Sequence, residues 1–306
     1  MRRNKALTMN IIEDIRKNVV SSLFNTNTVK TNWPKWSERI REIIGTTPSP
    51  QTVLSIGDNL SQIFKLTGSE GRGQGELSAG GTGWEALITW YFNLCTAGTR
   101  VVAIKRKSMI PTPIKDSFTV NYSNFSCSSE SDITVVVFPD DPLFTEDNPS
   151  LYSRTGKINM KALNALVDNT FTGFEVGIIQ CKTNWNDNAQ IPMLWDMIYD
   201  AKKFRSRHIS VGTNNFSIQA LRAFSYSFVT VPTNKLSGFK PTSTCVGRVK
   251  NLSGGNYWGY PSLNGVARNI QEIFQNFADG LDDGGIRQTL QPALSKLDSD
   301  LSYFKI

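Results

Sequence analysis

Gln180 and Lys182 close an apolar run, FEVGIIQCK from Phe174 to Lys182, that reads as a buried strand. Side chains alternate along a strand, so the amide and the amine project together to one face while Cys181 points to the other. Polar groups of this kind are costly at the rim of an apolar core unless something there requires them, such as a metal ion and a phosphate. Taken alone, the motif is explained slightly better by an ordinary strand end with a solvated Lys. What shifts the balance is Asp132, which opens a second apolar strand, ITVVVF from Ile133 to Phe138. If the two strands pair antiparallel around a long excursion, the start of the first lies beside the end of the second. Asp132 then joins Gln180 and Lys182 in one polar cluster at a sheet edge. The literal Pro139-Asp140 pair is a decoy by the same geometry, because 140 − 132 = 8 residues at about 3.3 Å each put it roughly 26 Å from Asp132. Asp140 and Asp141 read as loop or turn residues.

With these residues in view the chain resembles the PD-(D/E)xK nuclease superfamily, in the variant where Gln replaces the acidic residue, as in Mrr-like restriction nucleases. The resemblance rests on Asp132, on Gln180-Cys181-Lys182 and on Glu85 within GGTGWEALITWYFNL, and it covers roughly residues 80 to 232. It implies an α/β fold with a restriction-endonuclease-like core, a mixed sheet flanked by helices. That core is one helix, a three-stranded antiparallel meander, a second helix and a further strand. The resemblance also implies that Asp132 and Gln180 ligate Mg2+, with Mn2+ able to substitute, that Lys182 is the catalytic lysine and that Glu85 is a supporting acid reaching the metal through water. An amide oxygen is a neutral ligand, so such a site should hold its ion more weakly than one with a second carboxylate. Glu130 is placed to restore the charge if its strand extends that far. Glu175 is a poorer candidate, since its odd offset from Gln180 sends it to the opposite face.

The chemistry expected of this cluster is phosphodiester hydrolysis. A hard cation on oxygen ligands polarises the scissile phosphate and lowers the pKa of a bound water. Lys182, a compact charge with three donors, orients that water or offsets the growing negative charge.

The composition agrees. Lys and Arg number 33 against 26 Asp and Glu, a surplus of +7 that suits a polyanionic partner, double-stranded DNA being the one expected. A single histidine, His208, excludes a His-rich metal site and makes a Ser-His triad improbable. The cysteines Cys95, Cys127, Cys181 and Cys245 show no paired spacing, so neither zinc nor a disulfide framework is suggested. No apolar run is long enough for a membrane span and the opening lacks a signal-peptide core, so a cytoplasmic location is expected, with no membrane contact.

The elements that must position the cluster can be read around it. Residues 1–66 read as an N-terminal helical subdomain, with helices to about Phe24, around Trp36 to Ile44, and from Gln51 to Leu66. Gly68 to Gly83 reads as a glycine-rich loop that places Arg72 and Gln74 within reach of DNA. A helix follows from Trp84 to Leu94. Glu85 near its start has an equally good explanation in the helix dipole. Strands are expected at Val101 to Ile104, Ser117 to Tyr122, Ile133 to Phe138 and Phe174 to Cys181, closed by one near Ser225 to Val231. Residues 67–240 then form the nuclease core, with 140–170 as an insertion carrying a helix from Asn159 to Val167.

Basic residues Lys105, Arg106 and Lys107 are the favoured phosphate contacts. The cluster Lys202, Lys203, Arg205 and Arg207 suits the dipole at the end of a helix from Pro192 to Phe204 equally well. In the polar loop after Lys182, Asn184, Asn186 and Gln190 are candidates for reading bases, although turn chemistry explains the same composition. Residues 241–306 hold the aromatic loop GGNYWGYPSLNG, suited to base stacking but more commonly a wedged hydrophobic loop. Two amphipathic helices near Val266 to Phe277 and Ile286 to Tyr303 could carry a dimer interface.

The function expected is a Mg-dependent, sequence-specific type II restriction endonuclease, acting as a homodimer because two strands need two sites. Two rivals stand beside it. One is a modification-dependent, repair or structure-selective nuclease, and the other is a catalytically inert DNA-binding protein with a nuclease-like fold.

Overall fold

Continuous apolar strands such as VVAI and ITVVV need cover on both faces, and the structure supplies it. The computed structural model describes residues 10–66, 74–127, 131–185, 209–232, 236–253, 256–281 and 285–306. Its strands are β1 Val101–Ile104, β2 Val120–Tyr122, β3 Phe125–Cys127, β4 Ile133–Val137, β5 Glu175–Trp185, β6 Ile209–Val211 and β7 Ala223–Pro232. Helices α1 Ile11–Leu23, α2 Asn27–Ile44, α3 Pro50–Lys65 and α4 Gln74–Cys95 precede the sheet. Helices α5 Thr112–Ser117, α6 Pro142–Thr145 and α7 Met160–Asn169 lie between strands, and further helical stretches at Thr244–Ser253, Ile270–Phe274 and Gly285–Leu294 follow.

The main sheet has the order β1-β4-β5-β7. β1, β4 and β5 form an antiparallel meander, and β7 adds parallel to β5. The protein is thus a mixed α/β fold with a mixed sheet flanked by helices. One face of the sheet, carrying Ala103, Val135, Ile179 and Val229, packs on α2, α3, α4 and the C-terminal segments. The other, carrying Val102, Val136, Ile178 and Phe228, packs on α1, α5, α7 and Thr244–Ser253.

Helix α1 contributes to both layers, with Ile12 and Ile15 on one side and Val20 and Leu23 on the other. Its Arg16 is fully buried. The guanidinium meets Glu13 at 3.1 Å, donates to Thr99 O at 2.8 Å and to Val101 O at 2.7 Å, and so ties the helix to the edge strand β1. Asn93 of α4 completes that edge, donating to Ala103 O at 2.7 Å and accepting from Ala103 N at 3.2 Å. An edge strand whose backbone is occupied in this way offers little to a foreign strand.

Several expectations need correcting. Ser117 ends a helix, and only Val120–Tyr122 is extended, in a separate small sheet of order β3-β2-β6. Part of the glycine-rich stretch is helical, since α4 begins at Gln74. One reason is Gly83, where an added Cβ would sit 3.3 Å from Thr28 Cγ2 and 3.6 Å from Trp36, so the small residue lets α4 approach α2 closely. α2 starts at Asn27, capped by Thr26, and carries Pro34 inside it.

The aromatic loop is wedged into the core: Tyr257 and Trp258 are buried, and Trp258 lies beside Trp84 and Tyr91. Tyr257 and Trp258 are thus not available for base stacking, and the third ring, Tyr260, is half-buried with its hydroxyl accepting from Lys65 Nζ at 3.0 Å. Of the C-terminal apolar residues, Phe274, Phe277, Leu290 and Phe304 are buried in the chain's own core, while Leu294, Leu297, Tyr303 and Ile306 are partly buried. The expected helix in the insertion is present as α7, with Asn159 as its N-cap. Asp141 caps α6, as its turn reading requires.

Candidate functional site

The register of the meander brings the polar residues to one end of the sheet. Ile133 lies opposite Ile179, so Asp132, one residue earlier, falls level with Gln180. The Cys181 N–H donates to Asp132 Oδ2 at 2.7 Å. Here a side-chain oxygen accepts the proton just past the last paired residues of β4. Lys182 is half-buried one position on, and it acts electrostatically on the Asp132 carboxyl.

Glu85 joins from α4. Its carboxylate pairs with the ammonium of Lys105, which directly follows β1, and the two side chains are 21% and 20% exposed. Lys105 therefore belongs to this cluster and is not the free phosphate contact expected of it. Arg106 beside it is exposed, and Lys107 is half-buried in a short 3-10 turn. The dipole explanation of Glu85 lapses as well. In a helix of 22 residues that begins at Gln74, Glu85 stands near the middle, where the N-terminal partial charge does not reach.

Burial pushes the Asp132 carboxyl up to about 6. The Cys181 N–H pulls the other way, the Glu85 carboxylate raises it further, and the ammonium groups of Lys182 and Lys105 lower it. Asp132, Glu85, Lys105 and Lys182 thus interact as one electrostatic group. The thiol of Cys181, on the face toward α4, is raised well above its ordinary value, first by burial and then by Asp132 and Glu85. It is a poor nucleophile.

Gln180 is placed differently. It is 2% exposed and projects to the face opposite α4, where the hydroxyl of Tyr226 on β7 donates to its Oε1. Glu175 lies at the far end of β5, paired with Arg222 at 3.5 Å, and takes no part in the cluster. Burial and then the neighbouring Asp279 raise its carboxyl.

Arg72, Glu130, Asn186, Gln190, His208, the basic run Lys202 to Arg207 and the helix expected from Pro192 to Phe204 lie outside the described residues. Gln74 and Asn184 belong to α4 and β5 by their backbone, and their side chains are also outside them. Among the described residues no three His, Cys, Asp or Glu side chains gather as a metal-binding group. A cation here would rely on the Asp132 carboxylate and, on the face opposite α4, the Gln180 amide oxygen, with water completing the shell; Glu85 stands on the α4 side, held by Lys105, and the structure does not bring it together with Gln180. Hard oxygen donors of this kind suit Mg2+. No helix among the described residues is long and apolar enough to cross a membrane.

The sequence reading missed Tyr226 altogether and, for Lys105, named a phosphate contact but missed its pairing with Glu85. Lys105 had a usable signal: counting Val101, Ala103, Lys105 along alternate positions places it on the face that α4 covers. Tyr226 had a weaker one, a lone phenol between Ser225 and Ser227 in a strand whose depth the sequence does not state. Comparison with protein-family models and with curated proteins finds no match for the chain.

Proposed function

We propose that this protein is a metal-dependent endonuclease that hydrolyses DNA phosphodiester bonds, most economically a type II restriction endonuclease with Mg2+ as its cofactor. The observation that carries the reading is the contact between Asp132 at the head of β4 and the Cys181 amide, which brings an acid beside Gln-x-Lys at one sheet end. The meander followed by a parallel strand, in the order β1-β4-β5-β7, agrees with a restriction-endonuclease-like core.

In this reading Asp132 and Gln180 bind the cation and Glu85 supports them through water. When bound, a divalent cation supplies charge neutralisation at the phosphate and a water of lowered pKa. Lys182 orients the attacking water and offsets negative charge as it develops on the phosphate. Arg106 and Lys107 neutralise flanking phosphates, and the net charge of +7 favours encounter with DNA. Cutting both strands of a duplex with one site per chain would be met by a symmetric dimer.

The test is digestion of unmodified plasmid with Mg2+ or Mn2+, alongside Asp132→Ala and Lys182→Ala. Discrete bands from the parent protein, lost in both variants while DNA binding persists, are expected. Parental cutting by Lys182→Ala would remove that residue from the chemistry. Retained binding with no cutting at any metal concentration would favour the inert DNA-binding module instead.

A further inference from the structure

β7 runs parallel to β5 with Tyr226 beside Ile178, Phe228 beside Gln180 and Thr230 beside Lys182. Alternation then sends Gln180, Lys182, Tyr226 and Thr230 to the same face. Two of these groups already meet, since the Tyr226 hydroxyl donates to Gln180 Oε1. A carbonyl oxygen has two lone pairs, so this bond fixes which end of the amide is held and leaves a second acceptor direction. Thr230 carries the other clue. It is 0% exposed, and its Oγ1 has no hydrogen-bond partner among the described residues. A valine would fill the same space without the penalty of a buried, unsatisfied hydroxyl.

We propose that β7 completes the metal site with two hydroxyls. That of Tyr226 is a positioning group, holding the Gln180 amide with its oxygen as the ligating atom. That of Thr230 takes its hydrogen-bond partner from the water shell of the bound cation. The inference rests on the nuclease reading for the cation itself, and it adds residues that neither the Gln-x-Lys motif nor Asp132 implies. Groups that orient a ligand from behind commonly change metal affinity by about 10–100-fold when removed.

The experiment is titration of metal-free, full-length protein with Mn2+ alone, without DNA, followed by electron paramagnetic resonance of the free ion. Tyr226→Phe keeps the ring and should weaken Mn2+ binding about tenfold. It should have no further effect in a Gln180→Ala background, because Tyr226 acts through that amide. Thr230→Val should weaken Mn2+ binding while raising the thermal midpoint, a pairing that a purely structural role would not produce. Asp132→Ala is the control. If it abolishes Mn2+ binding while Tyr226→Phe and Thr230→Val bind as the parent does, the β7 proposal is overturned and the metal site stands. If Asp132→Ala binds as the parent does, the underlying metal reading fails and takes this proposal with it. Additive effects of Tyr226→Phe and Gln180→Ala would also overturn it.

Discussion

Removing the charge of Asp132 should stabilise the metal-free protein, and the size of the gain follows from its surroundings. The carboxyl titrates near 3.8 when unfolded and at about 6 in the folded chain, chiefly because it is buried. Below 3.8 the group is protonated in both states and its folded environment carries no ionisation penalty. Between 3.8 and 6 the folded state holds the proton that the unfolded state has released, so stability falls as pH rises through this window and stays low above it. A difference of about 2 pKa units is worth about 3 kcal/mol. Asp132→Asn keeps an oxygen to accept the Cys181 N–H and loses the charge, so at pH 7.5 in EDTA it should be more stable than the parent by up to about 3 kcal/mol. With an unfolding entropy of about 2.1 cal/mol/K per residue, that is about 5 °C for a chain of 306 residues. The assay is thermal unfolding of both proteins from pH 4 to 7.5. Glu175 also titrates high but is common to both and cancels in the difference. Adding Mg2+ at about a thousandfold excess over Kd should then reverse the order, since only the parent gains binding energy, about 4.1 kcal/mol. A stability difference that stays flat from pH 4 to 7.5 would refute the reasoning.

Other perturbations have equally definite expectations. Lys105→Met removes the internal cation from Glu85 and should tighten Mn2+ binding several-fold in the absence of DNA, read by the same metal titration. Arg16→Met leaves Glu13 buried without its guanidinium and should cost about 3–5 kcal/mol, lowering the thermal midpoint by roughly 5–8 °C. Gly259→Ala should lower the unfolding free energy measured in urea by about 2 kcal/mol or more, because φ is +114° and the new Cβ would lie 2.2 Å from Ser61 Oγ. Adding Ser61→Ala should recover part of that loss.

The strands of the main sheet were legible because ITVVV and FEVGII are near-continuous apolar runs, interrupted only by Thr134 and Glu175, a pattern typical of doubly covered strands. Given those strands, antiparallel pairing brings Asp132 level with Gln180 with no further information. Other elements depend on packing that a local pattern does not carry. Each glycine between Gly75 and Gly83 costs a helix about 1 kcal/mol relative to alanine, so the stretch reads as loop. Close contact of Gly83 with Thr28 and Trp36, from elements far away in sequence, is one return that offsets this cost. Lys105 reads as part of an exposed basic run because its neighbours Arg106 and Lys107 are charged, and only the placement of α4 over that face turns it inward. Ser117 to Tyr122 alternates like a strand, yet Pro113 in the first turn of α5 starts a helix that ends on Ser117. What remains extended is too short to enter the meander.

The arrangement at the sheet end has a consequence for how a nuclease of this kind would load. Two carboxylates, Asp132 and Glu85, face two ammonium groups, Lys105 and Lys182, so the cluster is balanced without any added ion. A divalent cation entering alone would meet the repulsion of both lysines while Lys105 still holds Glu85. A cation accompanied by a phosphate brings a net charge closer to zero, and the phosphate gives Lys105 and Lys182 an alternative partner. Metal and DNA should therefore each strengthen the binding of the other by the same factor, as reciprocal coupling requires. The neutral Gln180 fits this logic better than a third carboxylate would. An extra negative charge would favour the bare metal complex, whereas in the nuclease reading the amide would leave binding of the metal alone weaker than binding with a phosphate present.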